Sequence, residues 1–246
     1  MKKITAYIAF VIVLSFLFFL YGFSSDRNGL KKIKNTVVEF EEGDNNFLTH
    51  NMVDKMLIQN QKFVENQPKS VVDLHLLETN VLNNPYVEKA TVFLTINGVL
   101  KTFIKQRNPI ARIVNKEVTF YIDKHGVKVP LSSNYSARVP LVSGVENDEE
   151  INELIKLLRI ISNDDFFKKE VIAVKRNTRG EYVFSVRTGN HKIAFGTFAS
   201  ASLKFKKLKA FYNKALIDKT IKNYKIINVK YRNQVVCTKY NQDGKQ

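Results

Sequence analysis

From residue 87 the chain alternates. Val87, Ala90, Val92, Leu94 and Ile96 are interleaved with Glu88, Thr91, Phe93 and Thr95, the near-period-2 pattern of a half-buried strand. Asn97-Gly98 follows and predicts a type I′ turn, because this dipeptide tolerates positive φ at both central positions. A second strand over 99–106 returns. Pro85 ends the preceding helix at Asn84, since its ring disfavours the α region for the residue before it. The hairpin leaves through Lys105-Gln106-Arg107-Asn108-Pro109-Ile110, where proline interrupts the pairing pattern and predicts a joint between domains.

Upstream, residues 34–40 read as a strand with Val37, Val38 and Phe40 turned to a core. Thr49 is placed to cap a helix whose apolar stripe is Met52, Val53, Met56, Leu57 and Ile58. A second short helix over 75–82 turns Leu76, Leu77 and Val81 inward. Downstream, strands are predicted over 118–122 and 127–129 around Asp123-Lys124-His125-Gly126. Asn147-Asp148-Glu149-Glu150 places caps and negative charge at the start of a helix carrying Ile151, Leu154, Ile155, Leu158 and Ile161. A hairpin over 171–175 and 182–186 surrounds Asn177-Thr178-Arg179-Gly180, and 192–195 reads as another strand. From about Ser200, Leu203, Leu208, Phe211 and Tyr212 predict an amphipathic helix with its lysines in solvent. Strands over 226–231 and 234–238 end the pattern.

The run from Ile4 to Phe23 is uncharged and dense in Ile, Val, Leu and Phe. Its 20 residues span about 30 Å as a helix, the thickness of a bilayer's hydrocarbon core. A cleaved signal peptide has a shorter apolar region of roughly 7–15 residues ending at small side chains, and Gly22-Phe23-Ser24-Ser25 makes a poor cleavage site. The run therefore predicts an uncleaved anchor. Lys2-Lys3 before it and the nearly neutral Asp26-Arg27 after it predict a cytoplasmic N-terminus, with residues 26–246 on the far side.

Charge alters this picture little. The chain has 39 Lys+Arg against 23 Asp+Glu, a balance that first suggests nucleic acid. The predicted compartment and the dispersal of the lysines argue against it, apart from Lys204, Lys206, Lys207 and Lys209 on one helix. Solvated basic faces, or attraction to anionic lipid or an acidic partner, account for the excess. The single cysteine, Cys237, excludes an internal disulfide and reads as a small buried residue in a strand.

Catalytic chemistry finds no support. His50, His75, His125 and His191 are scattered without metal-ligand spacing, and no G-x-S-x-G, S-x-x-K or phosphate-cradling loop is present. The pairs Asp164-Asp165 and Glu41-Glu42 read as solvated carboxylates near a helix end and in a turn. No catalytic, cofactor or metal site is predicted, and no small-molecule substrate. Binding through backbone remains, because an edge strand offers free N–H and C=O groups to an extended partner. The hairpin over 87–106 and the terminal strands over 226–238 are the two candidate edges. The terminal pair is favoured by its β-branched and aromatic content, Ile226, Ile227, Val229, Tyr231, Val235 and Val236. Lys225, Lys230 and Arg232 beside it suit an acidic partner.

The order strand, helix, helix, strand, strand, with Asn84-Pro85-Tyr86-Val87 ending the second helix and Lys105-Gln106-Arg107 before Pro109, resembles the POTRA domain of the FtsQ/DivIB cell-division family. Phe120-Tyr121-Ile122-Asp123, Gly126, Pro130-Leu131-Ser132 and Arg138-Val139-Pro140-Leu141-Val142 resemble the start of that family's β domain. Lys209-Ala210-Phe211-Tyr212 and the stretch from Val229 to Cys237 resemble its last helix and strands. The resemblance, Bacteroidetes-like in character, covers about the whole chain. It implies an α+β protein: a cytoplasmic stub and single transmembrane helix (1–25), a POTRA domain (26–107), and a mostly antiparallel β domain with helices on one face (108–246). It further implies a non-enzymatic, bitopic scaffold of the division machinery in the cell inner membrane, the bulk of the chain periplasmic. Its partners would be FtsB/FtsL-like bitopic division proteins, and FtsK-like ones. Carried over by resemblance, partner binding falls on Val229, Lys230, Tyr231, Val235 and Val236. The alternative is a POTRA-containing factor for envelope protein assembly or transport; such proteins carry tandem POTRA copies or a barrel, and neither is visible in the sequence.

Overall fold

The computed structural model describes residues 2–41, 47–59, 62–115 and 118–240. It forms two compact units, Met1–Gln106 and Arg107–Gln246, each with its own apolar core. Glu42, half of one expected carboxylate pair, lies outside the described residues.

The first unit begins with helix α1 (Lys2–Gly29), in which Tyr7–Gly29 is long and apolar enough to cross a membrane and has no buried residue. Then come β1 (Asn35–Phe40), α2 (His50–Met56), a two-residue ribbon of β2 (Ile58–Gln59) with β3 (Lys62–Phe63), α3 (Leu74–Leu82), β4 (Val87–Leu94) and β5 (Val99–Gln106). The expected β-α-α-β-β order is present, with the ribbon added; Ile58 belongs to the ribbon, not to the first helix. The sheet order is β1-β5-β4, with β1 parallel and β4 antiparallel to β5. Alternation sets its faces. Leu100, Thr102 and Ile104 of β5 point inward, where Val53, Leu57, Leu77 and Val81 of the helical layer complete the core.

Local chemistry fixes the ends of these elements. Thr49 caps α2 as expected, its side chain accepting from Met52 N. Asp73, which the sequence reading passed over, caps α3 through Leu76 N at 3.0 Å. Asn84 turns the chain into β4 by accepting from Tyr86 N at its side chain and Val87 N at its carbonyl. The tip of the β4–β5 hairpin differs from a type I′ turn. Gly98 alone has positive φ (84°), Asn97 does not, and Gly98 N donates to Thr95 O while Thr95 N donates to Val99 O. Those are the marks of a three-residue loop with a glycine bulge.

The second unit is built on one nine-stranded sheet. In chain order its elements are β6 (Pro109–Val114), β7 (Thr119–Asp123), β8 (Lys128–Val129), β9 (Leu141–Ser143), α4 (Asp148–Ser162), α5 (Asp165–Glu170), β10 (Val171–Arg176), β11 (Tyr182–Val186), β12 (Lys192–Gly196), α6 (Ala201–Ile217), β13 (Tyr224–Asn228) and β14 (Val236–Lys239). Strand order is β14-β13-β12-β11-β10-β9-β6-β7-β8. Neighbours are antiparallel except at β6/β9, β9/β10 and β12/β13. Two of those parallel steps are crossovers through α4–α5 and through α6. Parallel neighbours require such connections, and their common handedness brings the helices to the same face.

Beneath the helices, Ile113, Val174, Tyr182, Phe184, Ile193, Phe195 and Ile227 meet Leu154, Leu158, Phe205, Leu208 and Tyr212 in a continuous core. Rings of Phe184, Phe195, Phe205 and Phe167 pack within it at centroid distances of 4.9–6.1 Å. Asn147 caps α4 through Glu150 N, and Glu150 answers by accepting from Glu146 N. Asp164 is not a solvated carboxylate beside a helix end but the N-cap of α5, accepting from Phe166 N and Phe167 N. On α6 the expected faces are partly exchanged. Leu203 is exposed, whereas Lys204 is buried, its ammonium donating to Thr197 O at 2.7 Å and lying over the Phe195 ring.

Candidate partner-docking edge

Among the described residues the three-stranded and nine-stranded sheets present four edges, and three of them are obstructed or short. On β1, the Thr36 amide and hydroxyl both donate to the Glu65 carboxylate at 3.3 Å. On β4, the Val92 amide donates to Glu78 of α3 at 3.0 Å. Carboxylates planted on outward amides block strand addition there. In the large sheet, β8 is only two residues long. The fourth edge, β14, pairs on one side with β13 in the register Ile226↔Thr238, Ile227↔Cys237 and Asn228↔Val236. Among the described residues no strand or side chain pairs with its outer side. An antiparallel edge strand leaves alternate N–H and C=O groups facing away.

The segment leading into β14 is tightly held. Strand β13 stops at Asn228 because its side chain accepts from Lys230 N, an Asx turn that redirects the backbone. Val229 is therefore outside the strand and fully buried at 0% exposure, and its amide donates to Ala194 O. Lys230 is engaged by Glu181, both carboxylate oxygens lying 2.8 Å from its ammonium. That hydrogen bond, with a second from Asn177, holds the Glu181 carboxyl below the usual carboxylate range. The Lys230 stem passes so close to Gly196 that a Cβ there would lie 2.9 Å from Cγ, and Gly196 also takes a positive φ of 78°; only glycine suits this crossing. Lys207 reaches up from α6 to the carbonyls of Val229 and Tyr231.

The residues assigned to partner binding are thus divided. Val229 belongs to the core, and its side chain is closed to any partner. Val235 packs half-buried against the same core. The Lys230 charge is committed to Glu181, which withdraws it from the group expected to complement an acidic partner. Tyr231, 50% exposed, and Val236, 41% exposed, remain at the surface, with exposed Lys225, Arg232 and Lys239 around them. Cys237 is half-buried against the core, and burial pushes its thiol up, away from the reactive thiolate.

The sheet face opposite the helices is the feature the sequence reading missed. Register aligns Leu141, Ala173, Ser185, Lys192, Ile226 and Thr238 across successive strands on that face. The signal was available in outward positions that, apart from Lys192, are small, hydroxylated or aliphatic instead of charged. Over β7 the face is closed locally, with Tyr121 buried beneath Ala137, whose amide donates to the Tyr121 hydroxyl at 3.2 Å.

The four histidines stand apart. His50 packs edge-on to Phe40, His191 is buried with its ring 2.6 Å from the Tyr212 hydroxyl, and among the described residues no three His, Cys, Asp or Glu gather as a metal site.

Residues 108–238 match the family model described as FtsQ/DivIB, C-terminal related. No curated protein matches the chain. Among solved structures, the major extracytoplasmic domain of the trans isomer of the bacterial cell division protein DivIB from Geobacillus stearothermophilus is similar over 47% of this chain and 98% of that one, at 13% identity and a TM-score of 0.32.

Proposed function

The chain belongs to the FtsQ/DivIB, C-terminal related family, and we propose that it is a non-enzymatic, bitopic scaffold of the bacterial division machinery. In this reading α1 crosses the inner membrane with its N-terminus in the cytoplasm, the first unit is a POTRA domain, and both units lie in the periplasm. The second unit captures an extended segment of another bitopic division protein, of FtsB/FtsL type, as a tenth strand beside β14. FtsK-type proteins are further partners of the same scaffold.

The observation that carries this reading is the contrast among the edges of the two larger sheets: among the described residues, β14 is the edge neither met by a carboxylate nor only two residues long. Main-chain pairing supplies affinity, and alternate side chains supply selectivity. Tyr231 and Val236 offer apolar contact, and Lys225, Arg232 and Lys239 favour an acidic partner segment. Anchoring both proteins in one membrane raises their effective concentration, as linking two sites does.

The test is capture of partners from membranes by the full chain, with partners identified by mass. Tyr231→Ala together with Val236→Asp is expected to weaken capture at least tenfold while thermal unfolding stays near wild type. Val229→Ala is expected to do the reverse, lowering the unfolding temperature through a cavity in the core. Undiminished capture by the Tyr231/Val236 variant would remove β14 as the docking edge.

A further inference from the structure

Ile96, at the tip of the β4–β5 hairpin, is the most exposed large apolar side chain among the described residues, at 85%. Its exposure is enforced. The Lys69 ammonium donates to both Thr95 O (3.1 Å) and Ile96 O (2.8 Å), and Gly98 O accepts from Lys34 N at 2.8 Å. Gly98 sits so close to the backbone that a Cβ would lie 3.0 Å from Lys32 O. A loop held by this many bonds is not a loose tip, and an apolar residue fixed outward asks what covers it.

The surroundings answer. Ile96 lines one crevice with Tyr21, Phe23, Ser24, Ser25, Arg27 and Lys31 at the end of α1. The 3-10 turn Lys69–Val71 abuts the same end, with Ser70 Cβ 3.4 Å from where a Gly29 Cβ would stand, and Lys69 N donates to Lys31 O. The uncharged run Ile4–Phe23 has 20 residues, about 30 Å of helix, which fills a hydrocarbon core of roughly 30 Å. The last turn of α1, beyond Phe23, therefore emerges into the headgroup layer, and the hairpin tip stands beside it. Leu30, 72% exposed, continues the apolar patch. Arg27, Lys31, Lys32 and Lys34 are all exposed around it, and Asp26 is the lone acid in residues 24–38. An apolar centre ringed by basic side chains is the composition of a surface that rests in a bilayer interface carrying anionic headgroups.

We propose that the β4–β5 tip and the basic segment after α1 form a lipid-contacting foot: Ile96 and Leu30 enter the headgroup region, and Arg27, Lys31, Lys32 and Lys34 bind anionic phospholipid. The foot rests on the reading of α1 as a membrane span, though not on any division partner. It ties the first unit to the membrane plane instead of leaving it on a free tether, so that the scaffold is presented at a set height.

The chain has no tryptophan, which makes a single introduced one a clean depth probe. The full chain carrying Ile96→Trp is reconstituted in bilayer nanodiscs containing about one-third phosphatidylglycerol, with plain or brominated acyl chains. Bromolipid is expected to quench the emission at least twofold, and adding K31E, K32E and K34E to relieve most of that quenching. A Phe19→Trp chain marks the anchor itself. Quenching at Phe19→Trp without quenching at Ile96→Trp overturns the foot and leaves the anchor standing. Quenching at neither position overturns the anchor and the foot together.

Discussion

The two sheets of this chain differ in what they do with their edges. The three-stranded sheet of the first unit ends on both sides in full-length strands, yet each outer strand has an amide taken by a glutamate, Glu65 on β1 and Glu78 on β4. The nine-stranded sheet closes one end by shortness, at β8, and leaves the outer side of β14 without a strand among the described residues. The residues of β4 are at least as β-prone as those of β14. What covers an edge is therefore set by what reaches across it from elsewhere in the fold.

The strongest way to break the contrast is through the core beneath the open sheet. Phe184→Ala removes a ring packed against Phe195 and Phe205 and is expected to destabilise the second unit by about 3–5 kcal/mol. Denaturant unfolding followed by circular dichroism checks this, and partner capture should fail with the fold.

A smaller change addresses the closed edge. Glu78→Ala strips the Val92 amide of its partner and is expected to destabilise the first unit by about 1–2 kcal/mol. It also uncovers β4, so self-association in size-exclusion chromatography should rise with concentration, whereas Glu78→Gln, which keeps an acceptor oxygen, should restore most of the monomer. A wild-type profile for Glu78→Ala would mean that edge is closed by something other than this carboxylate.

The mildest effect is one of pH. Burial pushes the His191 imidazole below its ordinary value of 6.5, outweighing the opposing pull of Glu170. Folded His191 thus stays neutral where the unfolded chain takes up a proton, so its contribution is present above pH 6.5 and is lost as the pH falls from 6.5 towards the depressed value. The denaturation midpoint of the second unit should fall between pH 7.5 and 5.5, a range above ordinary carboxylate titration. His191→Gln should flatten that dependence.

Much of the fold was legible because it is locally written. Alternation located β4, β5, β10, β11 and β12 within a residue or two, and Thr49 and Asn147 announced their helices. What escaped depends on distant residues. Nothing near Val92 says that Glu78 will cover it, and nothing near Leu203 and Lys204 says that the lysine, not the leucine, turns inward to a carbonyl seven residues back. The same limit applies at the candidate docking edge. The composition of residues 226–236 marks a strand pair, but the Asx turn at Asn228 decides that Val229 faces the core while Tyr231 and Val236 face out. Asn97-Gly98 offers two residues that tolerate positive φ, and only the glycine adopts it.

Position in the chain gives the open edge a schedule. β14 pairs only with β13, and β13 reaches the sheet only beside β12, after α6 has crossed over. It is the last of the described strands to leave the ribosome. A nascent or truncated second unit that lacks β14 cannot present this edge, so recruitment through β14, as proposed, would select finished molecules and make strand order an assembly checkpoint.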